Sequence, residues 1–389
     1  MDTNDFGFED IESASRSLSC HFRNLSRFEI YEKFEHGSSK SFRGRFNGIL
    51  QILPAREGQD SDITVDVAIT ASDSNISMSV HTEMTESSLT INLPRCSGRD
   101  IVSDSCLNVN VSIFVRPRLN LEKLLLDLDA SRVKIPSKLD VNVDASKINL
   151  HAGGLDATPF FTSRETHINL GAGSVTGEYS LHDLLQIHTH AGSVTINVLP
   201  QEADKEKPVS AFLSIGSDAG SVHAAYPPLR TPIPNRQYCT AIWSHQGSIN
   251  GNYIHGTKTT LESNSGSITA DILPYIVRDI SSTLHTRTDA GAQRINILSP
   301  YNAAGTHIEG LASSHSTQAA SLTIAYPPEW EGLIEGRTGV GTLTLRGDVR
   351  VIKEGGVGPV GGYVLAEKGD GDSKMDFRTS AGSAYIEMK

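Results

Sequence analysis

His188 and His190 stand two residues apart, so on a β-strand both side chains leave the same face, and two imidazoles on one face can share a metal ion. His182 lies close by in the sequence. No third ligand neighbours the pair, and the corresponding positions of an internal repeat are Glu262 and Asn264. The expectation is therefore a pair of solvated, outward-facing histidines. Asp370, Asp372 and Asp376 in GDGDSKMD begin like a calcium loop, but Lys374 stands where the fifth position needs an oxygen ligand, and a polar turn is expected.

Three glycine-rich stretches imitate nucleotide motifs. GNYIHGTK from Gly251 carries Thr257 and Lys258 in the reverse order of a phosphate loop, and no helix pattern follows. GAGSVTG from Gly171 misses the dinucleotide spacing, and GVGPVG from Gly356 contains Pro359 and opens no amphipathic helix. All three read as turns. Asp127, Asp129, Asp140 and Asp144 could supply acid and base carboxylates to a polysaccharide-cleaving β-helix, but they fall at strand ends, where turn residues belong. There is no G-x-S-x-G elbow and no H-E-x-x-H. The sequence thus points to no catalytic residues, no cofactor-binding residues and no metal ligands, and to a protein that is not an enzyme.

Cys20, Cys96, Cys106 and Cys239 show no C-x-x-C pair. Cys96 and Cys106 would close a short loop in an oxidising compartment; free thiols are the simpler expectation. Asn24, Asn75 and Asn110 sit in glycosylation sequons, which occur freely in a chain of this composition. The net charge of −11 and the lack of any dense Lys/Arg cluster argue against nucleic acid as a partner. The acidic N-terminus does not read as a signal peptide, and no apolar run is long enough to span a membrane. The default location is cytoplasmic, or the cell surface if an upstream targeting segment is missing.

The elements that would position any site are short strands. The 389 residues include 34 glycines and only 6% aromatics, a mixture suited to many turns and a narrow core. Residues 1–42 are polar without a sustained period and are expected to be a disordered tail. Residues 43–119 are β-rich: Ile63, Val65, Val67 and Ile69 alternate with polar or small residues. Leu119–Leu128 fits a helix or a strand, and its neighbours favour the strand.

From residue 120 to 389 a unit recurs. AGSV appears at Ala172, Ala191 and Ala219, QGSI at Gln246 and SGSI at Ser265. Weaker copies start at Ala290, Val340 and Ala381, and DASRV at Asp129 and DASKI at Asp144 look like relatives without the glycine. GSVTGEY from Gly173 matches GSINGNY from Gly247 at an offset of 74 residues, and GSVHAAYPP from Gly220 matches ASLTIAYPP from Ala320 at an offset of 100. Such gapless self-matches mark a repeat architecture. Gly is expected to supply a left-handed corner. The residues two, four and six beyond it (Val194, Ile196 and Val198; Ile268, Ala270 and Ile272) are expected to face inward, with Thr195 and Asn197 outward. Glycine spacings of 19, 28, 27, 19 and 25 residues leave loops of varying length, such as QEADKEKP from Gln201. The fold expected is all-β: a single-chain β-solenoid or β-helix of irregular repeats, preceded by a β-rich N-terminal region.

The run from GSVTGEYSLHDLLQIHTHAGSVTINVLP through GSINGNYIHG, SGSITADILPY and YPPEWEGLIEG to TSAGSAYIEMK resembles a fungal branch of the putative-adhesin β-solenoid family, a domain of unknown function, over roughly residues 120–389. The repeated turns and the EWEG segment at Glu329–Gly332 carry the resemblance. It implies a solenoid fold and a non-enzymatic, adhesin-like interaction or scaffold module, whose partner would be a cell-surface glycan or protein. The alternatives are a carbohydrate-active β-helix enzyme and an intracellular solenoid that self-associates end to end through unprotected terminal coils. The strand ending at Met388 shows no obvious cap.

Overall fold

The computed structural model describes residues 14–35, 41–42, 45–72, 74–96, 106–226, 232–275, 280–302, 306–356 and 361–389. Cys96, at the level of its side chain, and most of GVGPVG fall outside them, so the Cys96–Cys106 pairing does too. The fold is all-β and solenoid-like, with long, mainly parallel sheets and, among the described residues, one short helix at Ser74–Met78. Two compact units are present, one ending at Ala157 and one running from Thr158 to Lys389.

In the first unit, Ala14–Phe22, Ile63–Ala71 and Cys106–Val115 form successive antiparallel pairs. Arg45–Pro54 then joins Cys106–Val115 in parallel and carries Arg132–Ile135 on its other side. The second sheet of this unit places Arg27–Phe34 between Ser88–Leu93 and Leu119–Leu128, all parallel. Ala14–Phe22, Arg27–Phe34 and the short Ser41–Phe42 thus lie inside the segment expected to be a tail, a correction to the reading of residues 1–42, and the first two are the long ones. Their inward positions, Cys20, Phe22, Phe28 and Ile30, are almost fully buried. Glu32 continues the inward alternation and hides it from a hydrophobicity reading. Its carboxylate accepts hydrogen bonds from Ala130 N (2.8 Å), Ser131 N (3.0 Å) and the Ser131 hydroxyl. Burial pushes the Glu32 pKa up against those donors. The strands around residues 119–157 pair with this N-terminal part, which is why the unit ends at Ala157 and not near residue 120. Leu119–Leu128 is a strand, with Leu124, Leu126 and Leu128 buried.

In the second unit each coil supplies one strand to each of two sheets. Thr162–Ala172, Leu184–Ala191, Ala211–Ala219, Tyr238–Ser244, Lys258–Ser263, Ser282–Thr288 and Leu311–Thr317 stack in parallel register in the first. Val175–Leu181, Val194–Pro200, Val222–Ala225, Ile249–His255, Ile268–Pro274, Gln293–Ile297 and Leu322–Tyr326 stack in the second. Val194, Ile196 and Val198 point inward and Thr195 and Asn197 outward, as the alternation requires.

Gly173 (φ 131°) and Gly341 (φ 126°) take the positive φ expected of the corners, whereas the corners stacked between them follow a different physics. Gly192, Gly220, Gly247, Gly266 and Gly291 do not have the left-handed φ that favours glycine. They form a column in which each corner lies on the backbone of the one before. A Cβ on Gly192 would stand 1.7 Å from the Gly173 carbonyl oxygen, and one on Gly220 would stand 2.1 Å from that of Gly192. Close approach, not handedness, excludes a side chain. Buried hydroxyls three residues before the glycine line the inside of the column. Thr189 donates to Gly192 O (2.9 Å), Ser244 to Gly220 O (3.0 Å), Ser263 to Gly247 O (2.9 Å) and Thr288 to Gly291 O (2.5 Å). These bonds occupy polar groups that the core would otherwise leave unsatisfied.

The C-terminal end is not a simple last coil. Ser373–Ala381 inserts between Leu311–Thr317 and Gly332–Val340, and Ala384–Met388 inserts between Leu322–Tyr326 and Leu343–Gly347. The chain lays down the outer coil first and then threads its final coil beneath it. Ile386 and Met388 are consequently buried between strands on both sides, and the expected absence of a cap is corrected. An antiparallel hairpin, Arg350–Gly355 with Gly362–Lys368, extends the first sheet beyond Gly332–Val340.

Candidate functional site

Counting back from each corner glycine generates columns on the outer face of the first sheet of the second unit. Four residues before the glycine, the registers align His188, Gly216, Trp243, Glu262 and Arg287. Two residues before it stand His190, Asp218, His245, Asn264 and Asp289. Parallel strands about 4.8 Å apart bring each member of a column against the next. Three adjacent coils thereby assemble three histidines, an aspartate and a tryptophan that are dispersed over 58 positions of the chain, His188 to His245.

Gly216 makes the arrangement fit. Trp243 lies across it: a Cβ there would stand 2.2 Å from the indole ring. The indole therefore reaches back toward His188, with ring centroids 5.3 Å apart, while the His245 ring lies 4.9 Å from it. His188 and His190 meet edge to face at 4.8 Å. Asp218 is the electrostatic centre. Its Oδ2 lies 2.6 Å from His190 Nδ1, and its Oδ1 lies 3.3 Å from His245 Nδ1 and 3.7 Å from His188 Nε2. The hydrogen bond from His190 holds the Asp218 carboxyl below the usual carboxylate range, with His188 nearby acting in the same direction. His188 Nε2 is shielded from solvent and has no hydrogen-bond partner.

The sequence expectation placed His188 and His190 outward, and they are outward; His190 is exposed and His188 half-buried. It missed Asp218, His245 and Trp243, although the spacing of 28 residues between Gly192 and Gly220 carries His190 onto Asp218.

The other candidates are dispersed. His182 is half-buried, and its pKa is lowered, chiefly by burial. Its neighbour Asp183 is clamped by Arg164 (2.8 Å) and Arg236 (3.2 Å). Arg236 also donates to Gln201 O (3.0 Å) and Val209 O (2.6 Å), which ties down the base of the QEADKEKP loop. Asp372 accepts from Gly310 N (2.7 Å), whereas Asp376 pairs with Arg378 (3.0 Å), so these two carboxylates serve separate structural contacts. GNYIHGTK is a strand, Ile249–His255, followed by a turn into Lys258–Ser263. In the first unit Asp129 accepts from Phe34 N (2.7 Å) and pairs with His151 (3.0 Å), and Asp140 lies 4.0 Å from Arg118.

No protein-family model matches the chain, and no curated protein matches it. Among solved structures it is similar to a putative adhesin from Bacteroides fragilis NCTC 9343, with 12% identity, 73% of this chain and 97% of that one covered, and a TM-score of 0.33. A putative adhesin from Parabacteroides distasonis ATCC 8503 gives 14% identity, 74% and 95% coverage, and a TM-score of 0.25. A putative cell adhesion protein from Clostridium sporogenes ATCC 15579 gives 10% identity, 97% and 100% coverage, and a TM-score of 0.17. These neighbours are bacterial, and similarity at this level carries no argument about what the present chain does. Among the described residues no helix is long and apolar enough to cross a membrane.

Proposed function

We propose that the chain is a non-enzymatic, adhesin-like interaction module whose contact surface is the outer sheet face around Trp243, and that its partner is a surface glycan. The observation that carries this reading is the indole laid over Gly216 on a rigid, hydrogen-bonded sheet. A large ring held in one orientation loses little entropy on binding, and its apolar face suits the C–H face of a sugar. His190, His245 and Asp218 beside it supply donors and acceptors at the rim, the arrangement in which aromatic anchors dominate affinity.

A glycan array probed with the intact protein tests this. The wild type is expected to retain a defined set of glycans, and Trp243→Ala, which removes an outward side chain, is expected to weaken that binding at least ~10-fold with an unchanged melting temperature. Equal binding by the variant, or an array without retained glycans, overturns the reading. Light scattering that grows with concentration would favour end-to-end self-association instead. The strand Arg350–Gly355 offers an edge for it, exposed throughout and carrying Val351 and Ile352 in the open.

A further inference from the structure

The cluster around Asp218 also has the makings of a metal centre, independently of whether the surface binds glycans. We propose that His188 Nε2, His190 Nδ1 and the Asp218 carboxylate bind one divalent transition-metal ion, zinc or copper in class, with His245 Nδ1 completing the set from the next coil. The three proposed primary ligand atoms all lie within 4.8 Å of one another. A tetrahedral zinc with bonds near 2.0–2.2 Å places its ligand atoms about 3.4 Å apart. The separations of 3.7 Å from His188 and 3.3 Å from His245 to Asp218 Oδ1 already bracket that value. The His190–Asp218 contact of 2.6 Å must open by less than about 1 Å, and the remaining separations, none above 4.8 Å, must close by up to about 1.4 Å, shifts that a rotation of the exposed His190 ring supplies.

A second observation points the same way. His188 Nε2 is buried from solvent without a hydrogen-bond partner, a costly state for a polar atom that a metal bond would relieve. It is directed at the one carboxylate of the group, whose two oxygens are each already engaged by another imidazole. Imidazole and carboxylate donors select zinc, copper or nickel over calcium and magnesium, which prefer all-oxygen shells. The supports are strands in a stacked ladder, so the ligand atoms are positioned before the ion arrives. Trp243 forms an apolar wall at 5.3 Å from His188 and 4.9 Å from His245.

The test uses the full, tag-free chain stripped with chelator. Zinc is titrated by calorimetry, and copper is titrated while tryptophan fluorescence is recorded, since a copper ion at this site would quench the adjacent Trp243. The expected result is one zinc per chain at micromolar affinity or tighter, partial quenching that saturates at one copper per chain, and at least ~100-fold weaker binding in the His188→Ala, His190→Ala double variant. Asp218→Asn, which keeps the shape, should weaken binding at least ~10-fold. Both substitutions alter only outward-facing positions, and their melting curves report whether folding is retained. His223→Ala, outside the cluster, should bind as the wild type does. Binding that is absent in the wild type, or that persists undiminished in the folded double variant, overturns the assignment.

Discussion

Gly220→Val should abolish the cooperative melt of the second unit or lower its stability by about 4 kcal/mol or more, while Ser193→Val, at an exposed position of the neighbouring corner, should stay within about 0.5 kcal/mol of the wild type. The difference follows from what each side chain meets. At position 220 a Cβ alone would stand 2.1 Å from Gly192 O and 2.5 Å from Gly192 C, and these are backbone atoms fixed by strands on both sides. The conflict recurs one coil on, where the Gly220 carbonyl lies 2.2 Å from the corresponding position of Gly247, so Gly220 cannot retreat in that direction. The chain tolerates one Cβ in this column, at Ala320, in the coil beneath the inserted C-terminal strands. A branched side chain in the middle of the stack has no such latitude. Thermal and urea unfolding followed by circular dichroism would measure both variants, and a Gly220→Val protein as stable as the wild type would contradict the packing described.

The second large effect is a loss of stability on acidification. His255 and His315 are both fully enclosed by the second unit. Burial lowers the pKa of His255 to about 4, and burial, with a smaller repulsion from His285, lowers that of His315 to about 3. His255 contacts the Thr259 hydroxyl at 2.9 Å, and His315 lies between Thr286 (2.8 Å) and the Tyr326 hydroxyl (3.0 Å). In the unfolded chain both imidazoles take up a proton near pH 6.5, whereas in the fold they resist it. The stabilising contribution is therefore complete above about pH 6.5 and is lost as the pH falls through about 4 for His255 and about 3 for His315. At 1.36 kcal/mol per pH unit per proton, the pair represents a loss on the order of 5 kcal/mol between about pH 6.5 and pH 4.5. His182, whose pKa is also lowered by burial, adds in the same direction. Glu32 opposes it in the first unit, because a raised carboxyl pKa favours the folded state at low pH and loses that advantage as the pH rises. Urea midpoints of the second unit at pH 7, 5.5 and 4.5 should fall steadily, and His315→Gln should flatten the trend. Midpoints independent of pH across that range would count against neutral, buried imidazoles.

How much of this was legible in the residues depends on which signal is followed. The glycine turns and their gapless offsets announced a stacked architecture, and the inward alternation after Gly192 and Gly266 was readable directly. The purpose of the glycines was not, because sequence shows that a side chain is missing but not that another corner's carbonyl occupies its place. The hydroxyl three residues before each corner is a signal of the same strength: Thr189, Ser217, Ser244, Ser263 and Thr288 all hold it. The strand Arg27–Phe34 was hidden because Glu32 occupies a core position, and its carboxylate is made tolerable by donors about a hundred residues away. The inserted C-terminal coil was equally invisible, since local pattern marks a strand but not the order in which strands stack.

The histidine corner lies between these cases. His188 and His190 signal a strand face by themselves. Asp218, Trp243 and His245 become their neighbours only once the coils are brought into register, and that register can be counted from the glycines. Trp243 further requires a bare position beneath it, which Gly216 provides. Every functional proposal made for this surface therefore depends on the register of adjacent coils.

That register can be measured directly by placing cysteines at Thr195 and His223, outward partners on adjacent strands, and mapping disulfides by mass spectrometry after mild oxidation. The stack predicts rapid formation of the 195–223 linkage in a folded monomer, and none between cysteines placed at Thr195 and Arg294, which belong to coils several layers apart. Failure of the 195–223 pair to form in a folded protein, or efficient linkage of 195 to 294 within one chain, would contradict the in-register arrangement on which the corner rests.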